Sequence, residues 1–414
     1  MNAFRPGPYT GAAFVAHEAA RQGYMSGDPT WCNLGQGQPE TGKLAGGPVR
    51  LSTLALSASD EMYGPVGGTE ECRQAIADHY NRLYRANHAS RYGAQNVAIA
   101  AGGRLALLRV LAALSPVRLG YQIPDYMSFE SLLETQAHRL VQIAVPNPHA
   151  GRGGGLSSER FADVIEKNSL SAFLLSNPCN PTGDLLVGDE LDAIVRHACA
   201  RACALMMDEF YSHYIYDEAG APAASPVSAA AHVDDVERDP VLIIDGLTKN
   251  FRYPGWRLGW VLGPAHVIEQ VIRVSAGLDG GASTIVQRAT LDVLSAPYAD
   301  RETAAMRCVF AQKRRVMLDA LRKIGVLIHR EPRGAFYAWG DLSALPAPLN
   351  DADAFFRSAL ERKVITVPGR LFDLNPGQRR ASNPGFRPWM RFSFGPDMAH
   401  LCTGLERLET MVGR

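Results

Sequence analysis

Short apolar runs that alternate with helical stretches set the tightest limit on what this chain can fold into. Residues 97–100, 171–176, 204–207 and 241–244 are dominated by apolar side chains, and each run is closed by a turn. Runs of this length and character suit strands buried on both faces of a parallel sheet. Helical spacing separates them. Ile76, Tyr80 and Leu83 recur within 69–84, and further helical stretches cover 105–114 and 187–202. Thr69 is a suitable N-cap for the first of these, with Glu70 and Glu71 at the positive end of the helix dipole. Strand and helix in alternation predict an α/β fold, a doubly wound mixed sheet with helices on both faces. In such sheets ligands gather at the carboxyl ends of the strands.

The polar residues of this chain fall at those ends. Gly102, Gly103 and Arg104 stand between a strand and a helix, where free backbone N–H groups and the helix dipole favour an anion. A short strand over 121–124 leads to Asp125 and Tyr126. Asn177-Pro-Cys-Asn-Pro-Thr-Gly183 is a turn stiffened by two prolines, which holds Asn180 in one orientation. Asp208 closes an apolar run, where an isolated carboxylate is costly to bury unless a cation meets it; otherwise it is a turn or helix cap. Tyr211 follows three residues later. Lys249 comes just after the 241–244 run, and Arg257 eight residues on. A lysine there reads either as a nucleophile that forms a Schiff base with an aldehyde or as a surface loop residue.

The chain has 414 residues, too many for one ordinary core. The expected division is an N-terminal arm over 1–50, a large domain over 51–299 and a small α+β domain over 300–414. The last part alternates helices with short apolar runs at 335–339 and 364–367. Lysine plus arginine and aspartate plus glutamate stand at 42 each, so no bulk field favours nucleic acid or an anionic membrane. No run reaches the length of a membrane span, and the N-terminus lacks the basic and apolar regions of a signal peptide. Seven scattered cysteines without a Cys-x-x-Cys pair predict reduced thiols in a cytoplasmic protein. Neither they nor the histidines show metal-ligand spacing. The Gly151–Gly155 cluster lacks the lysine and hydroxyl of a P-loop and reads as a surface connection. Residues 217–238, rich in Ala, Pro and Asp, read as an exposed excursion.

Several of these motifs, in this order, resemble the class I/II aminotransferases, the fold-type I enzymes dependent on pyridoxal phosphate. Asn177 to Gly183 matches that family's Asn-Pro-x-Asn-Pro-Thr-Gly, and Asp208 with Tyr211 matches its Asp-x-x-Tyr. The segment from Thr248 to Trp260 is similar to its lysine segment, and Arg391 in Trp389-Met-Arg-Phe-Ser-Phe394 to its terminal Arg-x-Ser-Phe. The resemblance implies a mostly parallel seven-stranded sheet and a cofactor held as a Schiff base on Lys249. It implies that Asp208 keeps the pyridine nitrogen protonated, with Asn180 and Tyr211 on the phenolic oxygen and Tyr126 against the ring. Gly103, Arg104 and Arg257 would take the phosphate. Arg391 would grip the substrate α-carboxylate, with Asn180 and the Asn33-Leu-Gly35 segment beside it. Tyr63 would reach the phosphate of a neighbouring subunit, which requires a homodimer. One departure stands out. Gly246 replaces the first serine of the family's Ser-x-Ser-Lys, so weaker cofactor retention or a substitute phosphate donor is expected, and Gly246→Ser is expected to tighten binding.

The activity implied is transfer of an amino group from an α-amino acid to a 2-oxo acid. Elimination, replacement, cyclisation or oxidation on the same scaffold would use the same lysine, aspartate and arginine. The small residues at 278–283 suggest room for a sizeable substrate. A regulator sensing an amino acid through the cofactor would need an N-terminal DNA-binding domain, and the stretch before Tyr63 is too short for one.

Overall fold

The computed structural model describes residues 9–147, 150, 152, 155–223 and 225–413. Most of the Gly151–Gly155 cluster therefore lies outside the described residues. In chain order the strands begin with β1 (Cys32–Asn33), β2 (Val97–Ala100), β3 (Arg118–Ile123), β4 (Val141–Pro146) and β5 (Ala172–Ser176). β6 (Ala204–Asp208), β7 (Val241–Gly246), β8 (Gly259–Leu262) and β9 (Tyr337–Asp341) follow, then β10 (Val364–Ile365), β11 (Val367–Pro368) and β12 (Trp389–Ser393). Seven of them form one sheet in the order β2-β8-β7-β6-β5-β3-β4. β8 is antiparallel to both its neighbours, and every other pairing is parallel. This is the fold-type I sheet.

Both faces of the sheet are covered, as the unbroken apolar runs require. Leu174, Met206, Leu242 and Ile244 pack into one core, and their neighbours Leu175, Met207, Val241 and Ile243 into the other. Each such side chain contributes about 1.5–3 kcal/mol when fully buried, so this alternation fixes which residues at the strand ends face which side. The helix Glu70–Tyr84 starts where the sequence places it, because the Thr69 hydroxyl accepts from the Cys72 N–H at 3.3 Å.

A three-stranded antiparallel sheet, β11-β12-β9, lies apart from the large one. β1 pairs with β10, Cys32 opposite Val364, so the N-terminal arm is stitched to the C-terminal part of the chain. The 217–238 segment departs from expectation. Ala229, Ala230, Val233 and Val236 are buried, and the buried Arg85 guanidinium donates to the Ala230 and Val233 carbonyls at 2.8 and 2.6 Å. A polar composition does not expose a backbone whose carbonyls have an internal cation to bond.

Candidate active site

The strand register assembles the site. Ser176 at the end of β5 lies opposite Asp208 at the end of β6, and Asp208 opposite Ile244 in β7. The turns that leave these three adjacent strands carry Asn180, Tyr211 and Lys249 to a single cleft of about 580 Å³. Gly103, Arg104, Tyr126, Arg257, Arg391 and Gly35 also line it. Tyr63 does not: it is fully exposed on a different surface of the chain.

One end of the cleft is built for an anion. The helix Gly103–Ala113 begins immediately after β2, and Gly102 precedes it with φ +96°. A β-carbon on Gly102 would lie 2.3 Å from an Arg257 guanidinium nitrogen, so glycine is what lets that cation reach the helix N-terminus. Arg104 extends from the first turn and donates from Nε to the Tyr126 hydroxyl at 3.3 Å. Thr248, beside Lys249, also faces the cleft.

The expectation for Gly246 does not survive this geometry. A β-carbon there would stand 2.5 Å from the Leu258 carbonyl oxygen and 2.6 Å from Gly259 Cα, both backbone atoms, so a serine does not fit. The Phe210 ring fills the space beside it and closes on Gly103 as well, where a β-carbon would be 2.4 Å from the ring.

At the centre, Asp208 is buried and accepts one backbone hydrogen bond, from Phe210 at 3.3 Å. Burial pushes its carboxyl up to about 7, although the Lys249 charge works against this. Lys249 is pushed the other way. Burial, then the positive charges of Arg257, Arg104 and Arg391, bring its amine down to about 7. A large share of it is therefore an unprotonated nucleophile near neutrality. Each feels the other's charge, but the two do not form an ion pair.

The other end grips. Arg391 on β12 is buried and donates to Asn180 Oδ1 at 2.8 Å and to the Gly35 carbonyl at 2.6 Å. Since the Asn180 oxygen is engaged, its amide N–H groups are left to donate into the cleft. The turn around Asn180 is held from below by the buried Asp125. That carboxylate accepts from Ser176 N at 3.0 Å, from the Ser176 hydroxyl, and from Tyr126 N at 2.6 Å. The Ser176 oxygen in turn accepts from Asn180 N at 3.1 Å. Asp125 thus orients Tyr126 and Asn180 together.

Comparison with known proteins agrees with this arrangement. Residues 29–408 match the family model described as aminotransferase class I and II. The chain belongs to that family. Its members use pyridoxal phosphate to move an amino group between an amino acid and a 2-oxo acid, and this chain is such an aminotransferase. It is 24% identical to an aspartate aminotransferase of Sulfurisphaera tokodaii, covering 97% of this chain and 94% of that one. It is 27% identical to the aspartate/prephenate aminotransferase of Thermus thermophilus, covering 87% and 86%. Among solved structures, the aspartate aminotransferase from Thermus thermophilus with maleate superposes with a TM-score of 0.76 at 23% identity, over 99% and 98% of the chains. The N-succinyldiaminopimelate aminotransferase of Mycobacterium tuberculosis gives 0.77 at 22% identity, over 96% of each.

Other parts of the cleft escape a reading of the sequence. Phe210 and Asp125 sit next to motif residues, but their neighbours in space come from other strands. Tyr337, Tyr24, Ile365 and Val367 also line the cleft, as do Ala12, Val15 and Ala16 from the helix Gly11–Arg21. That helix shows helical periodicity in the sequence, yet nothing in it marks the face that looks into the cleft. The expected room at 278–283 is not found: none of these residues lines the cleft, and Gly281 instead lies against Pro65 and Val66, near Tyr63. Among the described residues no three His, Cys, Asp or Glu side chains come together as metal ligands.

Proposed function

We propose that the cleft binds pyridoxal phosphate as a Schiff base on Lys249 and transfers the amino group of an α-amino acid held by Arg391. The observation that carries this reading is the pairing of a buried carboxylate and a depressed lysine between two separate cationic ends. Asp208 needs a cation that can share its burial, and a protonated pyridine nitrogen supplies one. The Arg257 guanidinium, the helix N-terminus at Gly103 and Arg104 suit a phosphate dianion. The bound cofactor supplies an electron sink for the bond broken at the amino acid's α-carbon. Lys249 Nζ would be the group that takes up the α-proton and gives it back, work that suits an amine poised near neutral pH. Asn180 and Tyr211 would donate to the ring's phenolic oxygen, Tyr126 would pack on the ring, and Gly35 lines the carboxylate subsite through the backbone that braces Arg391.

The proposed assembly is a homodimer, with Tyr63 completing the phosphate site of the partner. Its support is an exposed apolar group on one surface, Leu54, Leu56, Met62, Tyr63 and Leu278. The proposed units remain an arm to residue 50, a large domain to 299 and a small one beyond. Among the described residues no helix is long and apolar enough to cross a membrane. All seven cysteines are free, which supports a cytoplasmic enzyme.

The test is the visible spectrum of the protein loaded with pyridoxal phosphate, recorded while amino acids are added without an oxo acid. Aspartate comes first, because relatives carry that name. A yellow band that bleaches and recovers on adding an oxo acid is expected. A band that never bleaches with any amino acid, or product release with the yellow form regenerated, would overturn transamination here.

A further inference from the structure

Tyr337 is the first residue of β9 and pairs with Ser393 of β12. Arg391 stands two residues along β12, so its side chain leaves the sheet on the same face as the diagonal Tyr337. Two contacts result. The Arg391 guanidinium lies over the Tyr337 ring, 4.2 Å from its centroid. The Tyr337 hydroxyl meets the Tyr211 hydroxyl at 2.6 Å.

The direction of the second contact follows from what surrounds each oxygen. Tyr337 is fully buried, and among the described residues its hydroxyl has no hydrogen-bond partner other than Tyr211. In the reading above the Tyr211 hydrogen is committed to the cofactor's phenolic oxygen, and an O–H buried without an acceptor is costly, so the Tyr337 hydrogen goes to Tyr211 Oη. Tyr211 keeps its own hydrogen for the cleft. A hydroxyl that accepts a hydrogen bond donates a stronger one. Arg391 acts in the same sense, since its charge above the ring favours a more acidic phenol and opposes the effect of burial on it.

From this geometry we infer that Tyr337 is a positioning residue serving two subsites at once. Its hydroxyl sets the hydrogen that Tyr211 presents to the cofactor's phenolic oxygen. Its ring holds the Arg391 fork in the plane that receives the substrate carboxylate. The inference rests on the reading of the cleft given above and adds a residue to it.

Two variants separate the roles. Tyr337→Phe keeps the ring and the volume but removes the hydroxyl, and Tyr337→Leu removes both. Each is loaded with pyridoxal phosphate, the pH midpoint of the visible band is measured, and maleate is titrated against that band as a carboxylate that cannot react. A weaker donor on the phenolic oxygen leaves more negative charge there, which favours the protonated chromophore. The midpoint in Tyr337→Phe is therefore expected to rise, by about half a unit, with maleate affinity within about twofold of the parent because the cation–π contact is retained. Tyr337→Leu is expected to show the same rise together with roughly fivefold weaker maleate binding. A Phe variant whose midpoint equals the parent's overturns the inference, whatever the Leu variant does, and so does a Leu variant that binds maleate as tightly as the parent. A parent protein with no visible band would instead sink the cofactor reading itself, so the two failures are distinguishable.

Discussion

The ends of β6 and β7 present two polar surfaces back to back, and they are built on opposite rules. Toward the cleft point Asp208 and Lys249. Toward the far side of the sheet point their sequence neighbours Glu209 and Asn250, with Asp245 one residue before Gly246. Behind the sheet the bonds are nearly closed. The Asn250 amide contacts both Asp245 oxygens at 2.9 Å, the Ser212 hydroxyl at 3.0 Å and the Glu209 carbonyl at 3.1 Å. Its oxygen accepts from His213 N at 3.1 Å, and Tyr80 donates to Asp245 at 3.1 Å. In the cleft, among the described residues, Asp208 has a single backbone donor and the Lys249 amine makes no hydrogen bond. A satisfied buried network rigidifies a fold; an unsatisfied one is where chemistry waits for a partner.

The contrast can be broken most sharply by two adjacent alanines. Lys249→Ala should abolish amino transfer while leaving stability within about 1 kcal/mol of the parent, since a desolvated amine is lost. Asn250→Ala should do the reverse in stability, costing about 3 kcal/mol because the buried Asp245 carboxyl loses the Asn250 amide and keeps only Tyr80 and the Gly246 N–H. Thermal melts of both variants, beside a single-turnover assay of the first, check the pair. Equal melting temperatures would show that the two surfaces are not different in kind.

A smaller effect is expected for Gly246→Ser. The added side chain meets backbone on the neighbouring strand, so a loss of about 1–3 kcal/mol is expected, with no gain in cofactor affinity. Tighter binding of pyridoxal phosphate in an equilibrium titration would contradict the Phe210 packing described above.

A pH dependence sharpens the comparison further. Burial pushes Glu209 up to about 8 from an ordinary 4.5, and its Oε2 has no hydrogen-bond partner. A carboxyl whose folded pKa is raised favours the folded state below its ordinary pKa, and that contribution is lost as pH climbs through the folded value. Glu209→Gln keeps the acceptor for the Ala229 N–H and removes the titration. Its melting temperature relative to the parent should rise between about pH 4.5 and pH 8 and stay level above. A difference that does not change with pH would mean Glu209 is not a buried acid of this kind.

The sequence by itself determined most strands of the large sheet, though not β4 (Val141–Pro146), and the chemistry at their ends. Apolar runs long enough for one strand and too apolar for a surface dictate a doubly covered sheet. The proline-braced Asn180 turn, the Asp208 strand end and the Lys249 segment are local features, so their spacing survives in one dimension. The tertiary structure decided what depends on contact between distant segments. Tyr337 and Arg391 meet because β9 pairs with β12, and Tyr337 meets Tyr211 because that small sheet packs over the end of β6. Whether position 246 could carry a hydroxyl was settled by Leu258 and Gly259 on the next strand, and by a phenylalanine at 210. The small residues at 278–283 lie against Pro65 and Val66, not in the cleft, for the same reason. Steric room and hydrogen-bond partners are properties of what lies across a gap, and no periodicity along the chain records them.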